Sequence, residues 1–304
     1  MTREDITRNL WQFEQSHSVE DYFVEDVRIW PILRIVLASH WEKSLPKANS
    51  PADPQSSGGR VRGGGEEAEA CLKAGRLPNV PARACNGALR RLARRLRGRP
   101  VVILTRASRR IDWRGGRYNT LADPFRELLN RMGTRVQVWE LITGGAQAGD
   151  DAVDLSRRIR AAGQHETGAP LELSEPDWYE EVADWSRESA RFNLPWKVFA
   201  GYCGRVLQLA AFFEDWLREC MCRVVLLACW YGRTAMAAAL AASRLSLPSV
   251  DLQHGLQGPG HWAYSGWVRK PADGYRVMPE WYWVWGESDR QHLLHTNATV
   301  DGDR

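Results

Sequence analysis

The sequence predicts an α/β fold, an open and mostly parallel sheet with helices on both faces. Three observations carry this expectation. Short continuous apolar runs recur at Val101–Thr105, Val136–Leu141 and Val224–Ala228, the pattern of strands buried on both faces. Helical stretches alternate with them, among them Asn119 to Met132 and the alanine-rich segment Thr234 to Leu245. Gly133 and Pro248 punctuate the passages from helix back to strand.

Taken in order, residues 1–46 read as an N-terminal helical segment of two short helices and a longer one. Pro31 stands in a first helical turn, where its missing N–H leaves no hydrogen bond unmade. Residues 47–82 read as a flexible linker, because KANSPADPQSSGGRVR (47–62) is rich in Pro, Ser and Gly and offers almost no large apolar side chain to offset the entropy of ordering. Disorder is expected across Lys47 to Arg62. Residues 83–287 form the main, Rossmann-like domain. It opens with an arginine-rich helix on the Leu89, Leu92, Leu96 spacing, and a polar loop follows its first strand.

Strand, helix, Gly133 and strand then make a βαβ unit, which requires parallel pairing. Gly144 to Asp177 reads as a loop or small helical excursion, and Asp177 to Leu217 as helix broken near Pro195. Ser249–Gln253 and Trp281–Trp285 complete the strands, and residues 288–304 form a short tail. In such a sheet ligands sit beyond the carboxyl ends of the strands, so 106–119, 231–234 and 254–267 are the segments of interest.

Composition narrows the function classes. The 304 residues, 44% hydrophobic, suffice for a sizeable core. No apolar run approaches the roughly 20 residues that span a bilayer, and acids run through the segment before Pro31, unlike a secretory leader. A cytoplasmic location is expected, with peripheral contact at the inner membrane as an option. Six cysteines, Cys71, Cys85, Cys203, Cys220, Cys222 and Cys229, form no C-x-x-C pair and read as reduced and structural, with no metal site expected.

Net charge is only +4, yet arginines cluster from Arg83 to Arg110. That patch suits anionic headgroups or a phosphate-linked acceptor; the stronger reading is the solvated face of a helix, and no nucleic acid is expected as partner. No Walker loop and no G-x-G-x-x-G opens a helix, which disfavours kinase, NTPase and dehydrogenase classes.

The most specific stretch comprises DLQHG (Asp251–Gly255), GPGHWAYSG (Gly258–Gly266) and PEWYWVWGE (Pro279–Glu287). A strand ending in Gln-His-Gly, a glycine-rich loop with a second His and a Tyr, then an aromatic strand and Trp-Gly resembles the glycosyltransferases of bacterial capsule and surface-polysaccharide biosynthesis. Arg28 to Arg34 (RIWPILR) and the Gly116 to Asp123 stretch echo the same family. The resemblance implies a GT-B arrangement of two Rossmann-like domains, the N-terminal one holding a glycan or lipid-linked acceptor and the C-terminal one a nucleotide-sugar co-substrate, with no other cofactor. A second such domain needs on the order of 150 residues. Only 288–304 follow Glu287, so the donor-binding domain or a partner supplying it is expected to be missing.

Residue chemistry gives the same positions roles. His254, at the carboxyl end of a strand, is the candidate catalytic base, since an imidazole can take the proton of an acceptor hydroxyl at neutral pH. The alternative is a buried histidine that fixes the turn. Gln253, Gly255, His261, Tyr264, Tyr231 and Arg233 are the candidate substrate-binding residues, with Arg233 at a helix start suited to an anion. Tyr118 and Asn119 join them through the resemblance. Trp281, Trp283 and Trp285 alternate onto one face and read as core packing. A non-catalytic glycan-binding or assembly module is the competing function.

Overall fold

The computed structural model describes residues 2–44, 100–113, 115–143, 146–149, 151–162, 171–189, 192–255, 258 and 260–297. The expected linker at 47–82 and the arginine-rich helix, with most of the 83–110 basic patch, lie outside the described residues.

Helix α1 (Arg3–Ser16) starts at a capping box: Asp5 N–H donates to Thr2 Oγ1 at 3.2 Å, and Thr2 N–H donates to Asp5 Oδ2 at 2.7 Å. Its Ile6, Leu10 and Phe13 recur at helical spacing and are buried. A hairpin of β1 (Phe23–Val24) and β2 (Val27–Arg28) follows a single 3-10 turn, where the sequence reading had a second short helix. Two-residue strands carry too little periodicity to show in a pattern. Helix α2 (Trp30–Ser44) holds Pro31 in its first turn, as expected.

Next come β3 (Val101–Arg106), the antiparallel hairpin β4 (Arg110–Trp113) and β5 (Gly116–Asn119), α3 (Ala122–Arg131), β6 (Val136–Leu141), β7 (Ala152–Asp154) and α4 (Leu155–Ala161). Then follow α5 (Tyr179–Ser189), α6 (Trp196–Glu219), β8 (Val224–Leu227), α7 (Arg233–Arg244), β9 (Ser249–Leu252), β10 (Trp281–Trp283) and α8 (Glu287–Thr296). All five expected strands are present. The β4–β5 hairpin stands where a polar loop was expected, and β7 with α4, capped by Asp154, occupies part of the expected loop or helical excursion. Pro195 is the N-cap of α6, which explains the break between the two helices.

Six strands lie parallel in the order β10-β9-β8-β3-β6-β7, with helices flanking the sheet. Renumbered along the sheet, this is 3-2-1-4-5-6, the order of a doubly wound Rossmann-type sheet, and it reverses direction between β3 and β8. In sheets of this order the connections leave the two central strands, here β3 and β8, in opposite directions, and ligands are bound beyond the carboxyl ends of the strands at that point.

The N-terminal helices belong to the same compact unit as the sheet. Their anchor is a fully buried ion pair, Arg34 with Glu14. Arg34 also donates to the carbonyls of Trp262 (3.2 Å), Ser265 (2.8 Å) and Gly266 (3.1 Å), and Glu14 accepts from Trp30 Nε1 and Val268 N–H. Such a pair is tolerable in the interior only because hydrogen bonds satisfy its remaining donors and acceptors. Gly266 sits at φ +73°, and a Cβ there would lie 2.8 Å from Thr7 Cγ2, so the close approach of α1 requires glycine.

The tryptophan stripe of β10 corrects an expectation. Trp281 is 37% exposed and Trp285 60% exposed, Trp283 is partly buried and edge-on to Phe125 at 5.5 Å, and it is Tyr282 and Val284 that pack against the core. β10 is an edge strand that ends at Trp283, so alternation beyond it no longer assigns faces.

Candidate functional site

β9 and the two residues after it place Asp251, Gln253 and His254 at the carboxyl edge of the sheet. Asp251 points inward and is buried, accepting from Trp230 N–H at 3.0 Å and from the Tyr264 hydroxyl at 2.7 Å. It thereby ties the loop after β8 and the 260–267 loop to one strand. Burial pushes its carboxyl up to about 8, outweighing both hydrogen bonds.

Gln253 is buried and acts as a clamp. Its Nε2 donates to Gly255 O at 3.1 Å, its Oε1 accepts from Trp285 N–H at 2.5 Å, and Trp285 Nε1 returns a bond to its carbonyl. Its side-chain oxygen and nitrogen and its carbonyl are all bonded to the chain, so Gln253 fixes the passage from β9 into the following loop.

His254 follows, half-buried, with Nε2 3.2 Å from the Tyr231 hydroxyl. Burial lowers its pKa, Arg109 adds to the effect, the Leu252 backbone opposes it and Arg106 contributes last, so the ring is neutral at pH 7. Nδ1 is buried without a hydrogen bond among the described residues. Gly255 is half-buried, and among the described residues nothing lies within 4 Å of where its Cβ would stand.

Tyr231 links this histidine to a cleft. Its ring meets His261 edge-on at 5.3 Å and Trp262 at 5.5 Å. Burial raises its hydroxyl well above the usual tyrosine range, so it stays protonated. The cleft has a volume of about 750 Å³ and is lined by Thr2, Arg3, Glu4 and Glu42 of the N-terminal helices, Tyr231, and Gly258, Gly260, His261 and Trp262 of the following loop. His261 is pushed down to about 4, by burial first and then by His254 and Arg3.

The structure therefore brings His254, Tyr231, His261 and Tyr264 together, the Tyr264 ring lying 4.9 Å from His261, 5.8 Å from Tyr231 and 6.5 Å from His254. Tyr264 is buried with its hydroxyl on Asp251, so it shapes the loop and has no free donor for a substrate. Arg233 opens α7 with its guanidinium 5.6 Å from the Tyr202 ring centroid.

Asn119 is fully buried. Its side chain donates to Glu140 Oε1 at 2.8 Å and to the Arg106 carbonyl, and accepts from Leu121 and Ala122 N–H. Glu140 is also held by Arg110 Nε at 2.8 and 2.9 Å and by Gly149 N–H. Asn119 thus fastens the β4–β5 hairpin to the sheet. Tyr118 is half-buried near α3, where burial, Glu127 and Asp123 push its hydroxyl up to about 12.

Sequence reasoning missed Asp251, whose signal was an acid inside an apolar strand. It also missed Arg34, whose signal was a charge within the apolar start of α2, and its partner Glu14 near the end of α1. Among the described residues no group of three or more His, Cys, Asp or Glu side chains is arranged to hold a metal ion, and no helix is long and apolar enough to cross a membrane. No family model matches the chain, and no match was found among curated proteins or solved structures.

Proposed function

We propose that this chain is the acceptor side of a GT-B-type glycosyltransferase of surface or capsular polysaccharide synthesis. His254 is the base that deprotonates the acceptor hydroxyl. A nucleotide-sugar is the donor, held by a second domain or a partner, and a glycan or lipid-linked saccharide is the acceptor.

One observation carries the reading: a neutral histidine at the carboxyl edge of the sheet is bonded to a tyrosine that itself lines a 750 Å³ cleft. Tyr231 and Trp262 offer aromatic faces for a sugar ring, and Glu4 and Glu42 offer acceptors for its hydroxyls. Because Tyr231 stands between His254 and the cleft, its hydroxyl passes the proton on, taking one from the acceptor oxygen as it gives its own to His254 Nε2. The acceptor oxygen then bonds to the anomeric carbon as the nucleoside diphosphate leaves. A tyrosine held protonated suits this relay, since no tyrosinate forms. His261, with its pKa near 4, is a poor base at neutral pH and is assigned to binding.

The test is transfer from a panel of nucleotide-sugars to oligosaccharide and isoprenoid-linked acceptors, with product read by mass spectrometry. The protein is purified from its own host so that any partner stays attached. Product formation lost on His254→Gln supports the reading. A second reading, a non-catalytic glycan-binding module, is favoured by one feature: Tyr231 occupies Nε2 and Nδ1 is buried, so neither ring nitrogen faces the cleft directly. Glycan binding in the cleft without product from any donor selects it.

A further inference from the structure

The sequence Cys220-Met221-Cys222 sets two thiols on the turn that ends α6 and leads into β8, at the end of the sheet opposite His254. Paired backbone bonds close this turn: Cys222 N–H donates to the Leu217 carbonyl at 3.0 Å, and Met221 N–H to the Arg218 carbonyl at 2.9 Å. The closure puts Met221, at φ +52°, in the left-handed conformation usually left to glycine, with its side chain 71% exposed. A residue of helical curvature holds the Cα atoms on either side of it about 5.4 Å apart, within the roughly 4.4–6.8 Å that a disulfide spans. The Cys220 thiol also meets the Leu217 carbonyl, at 3.6 Å, so both cysteines gather on one oxygen.

The two thiols differ in access. Cys222 is buried, its Sγ 3.3 Å from the Val224 carbonyl. Cys220 is half-buried and lines a pocket of about 420 Å³ together with Arg135, Gln137, Arg158, Trp216 and Glu219. Trp216 is backed by Trp139 at 3.5 Å, and the Arg158 guanidinium lies 5.1 Å over its ring, so an aromatic wall and a positive charge stand together beside the sulfur. A hydrogen bond from Cys222 lowers the Cys220 thiol below its ordinary value, against the effect of burial, and the same bond together with burial raises Cys222. The accessible sulfur is therefore the better nucleophile, and the buried one keeps its proton.

We propose that Cys220 and Cys222 are a thiol–disulfide exchange pair, and that the pocket beside Cys220 receives a small anionic disulfide of the glutathione type. Each half of such a disulfide carries two carboxylates and one ammonium group, which match Arg135, Arg158 and Glu219. The Cys220 thiolate attacks one sulfur of the bound disulfide, the S–S bond breaks, and the first small thiolate leaves and is protonated by water. Cys222 Sγ then attacks Cys220 Sγ, its proton passing to the second leaving thiolate. Two protein thiols are thereby oxidised to one disulfide as the small disulfide is reduced to two thiols. The new bond staples the turn between α6 and β8. This pocket shares no lining residue with the cleft at His261, so the pair is tested independently of sugar transfer.

The experiment incubates the full chain with oxidised glutathione, with neutral hydroxyethyl disulfide or with cationic cystamine, blocks the remaining thiols and maps the peptides by mass spectrometry. Trypsin cuts after Arg218 and Arg223, so both thiols fall on the peptide Glu219–Arg223. That peptide is expected to lose two hydrogen atoms and keep no adduct, while Cys203, fully buried in α6, stays reduced. Cys222→Ser should trap the mixed disulfide on Cys220. Oxidised glutathione should react roughly 10-fold faster than the neutral probe, and cystamine more slowly than either, and Arg158→Gln should shrink that preference. The parent peptide is read without any variant, so a folding defect in Cys222→Ser does not mask the result. A peptide that stays fully reduced with all three disulfides overturns the proposal. So do equal rates for the three probes, or an unchanged preference in Arg158→Gln.

Discussion

The Tyr264 hydroxyl donates to Asp251 Oδ2 at 2.7 Å, and both residues are only 1% exposed. This bond, with the one from Trp230 N–H to Oδ1, makes Asp251 the point where two loops of the candidate site meet the sheet. It also places a titratable carboxyl where ionisation is opposed by burial.

That opposition sets the sign of a pH effect. The carboxyl titrates near 3.8 in the unfolded chain and near 8 in the folded one, so between these values the native state binds more protons. Its contribution to stability is full below about pH 4, falls as pH rises to about 8, and is constant beyond. Asp251→Asn mimics the protonated form: its Oδ1 accepts from Trp230, and its Nδ2 donates to Tyr264. Denaturant melts of both proteins should show the parent losing stability relative to the variant from pH 4 to 8. The opposite slope would contradict a raised pKa.

His261 gives the reverse sign. Its folded pKa of about 4 lies below the ordinary 6.5, so the unfolded chain binds more protons between them. The parent should gain stability relative to His261→Gln as pH rises from 4 to 6.5 and hold that gain above. A flat difference across this range would mean that the ring is solvated.

The Arg34–Glu14 pair holds the N-terminal helices against the loop that carries His261. Glu14→Ala leaves Arg34 charged and without its carboxylate in the interior, which should cost roughly 3–5 kcal/mol in a denaturant melt. Because Val268 N–H also loses its acceptor, hydrogen exchange should accelerate across 262–269. A loss below about 1 kcal/mol would show that water reaches the pair.

The strands were legible because a strand buried on both faces must be apolar at every position, as Val101 to Leu104 and Val224 to Leu227 are. Their order was not written in those runs, since it depends on which crossovers pack. The short hairpins and β7 left no pattern, being two to four residues long. For the site, His254 was legible as a polar residue directly after a strand. The inward bonds of Tyr264, Gln253 and Asn119 were not legible, because hydrogen-bonding side chains in loops and at strand ends look alike in sequence whether they face a ligand or their own chain. Asn119 turned inward to satisfy Glu140, and Tyr264 to satisfy Asp251, partners separated from them by 21 and 13 positions.

The most direct measurement is the rate of sugar transfer by His254→Ala, made with the donor and acceptor that give product in the panel and paired with acceptor affinity and melting temperature. Proton transfer by a positioned group is worth about 10²- to 10⁴-fold, so turnover should fall by that factor while acceptor affinity and melting temperature stay near the parent values. Tyr231→Phe, which breaks the link between the cleft and Nε2, should fall with it. Near-parent turnover in His254→Ala would contradict the assignment of His254 as the base.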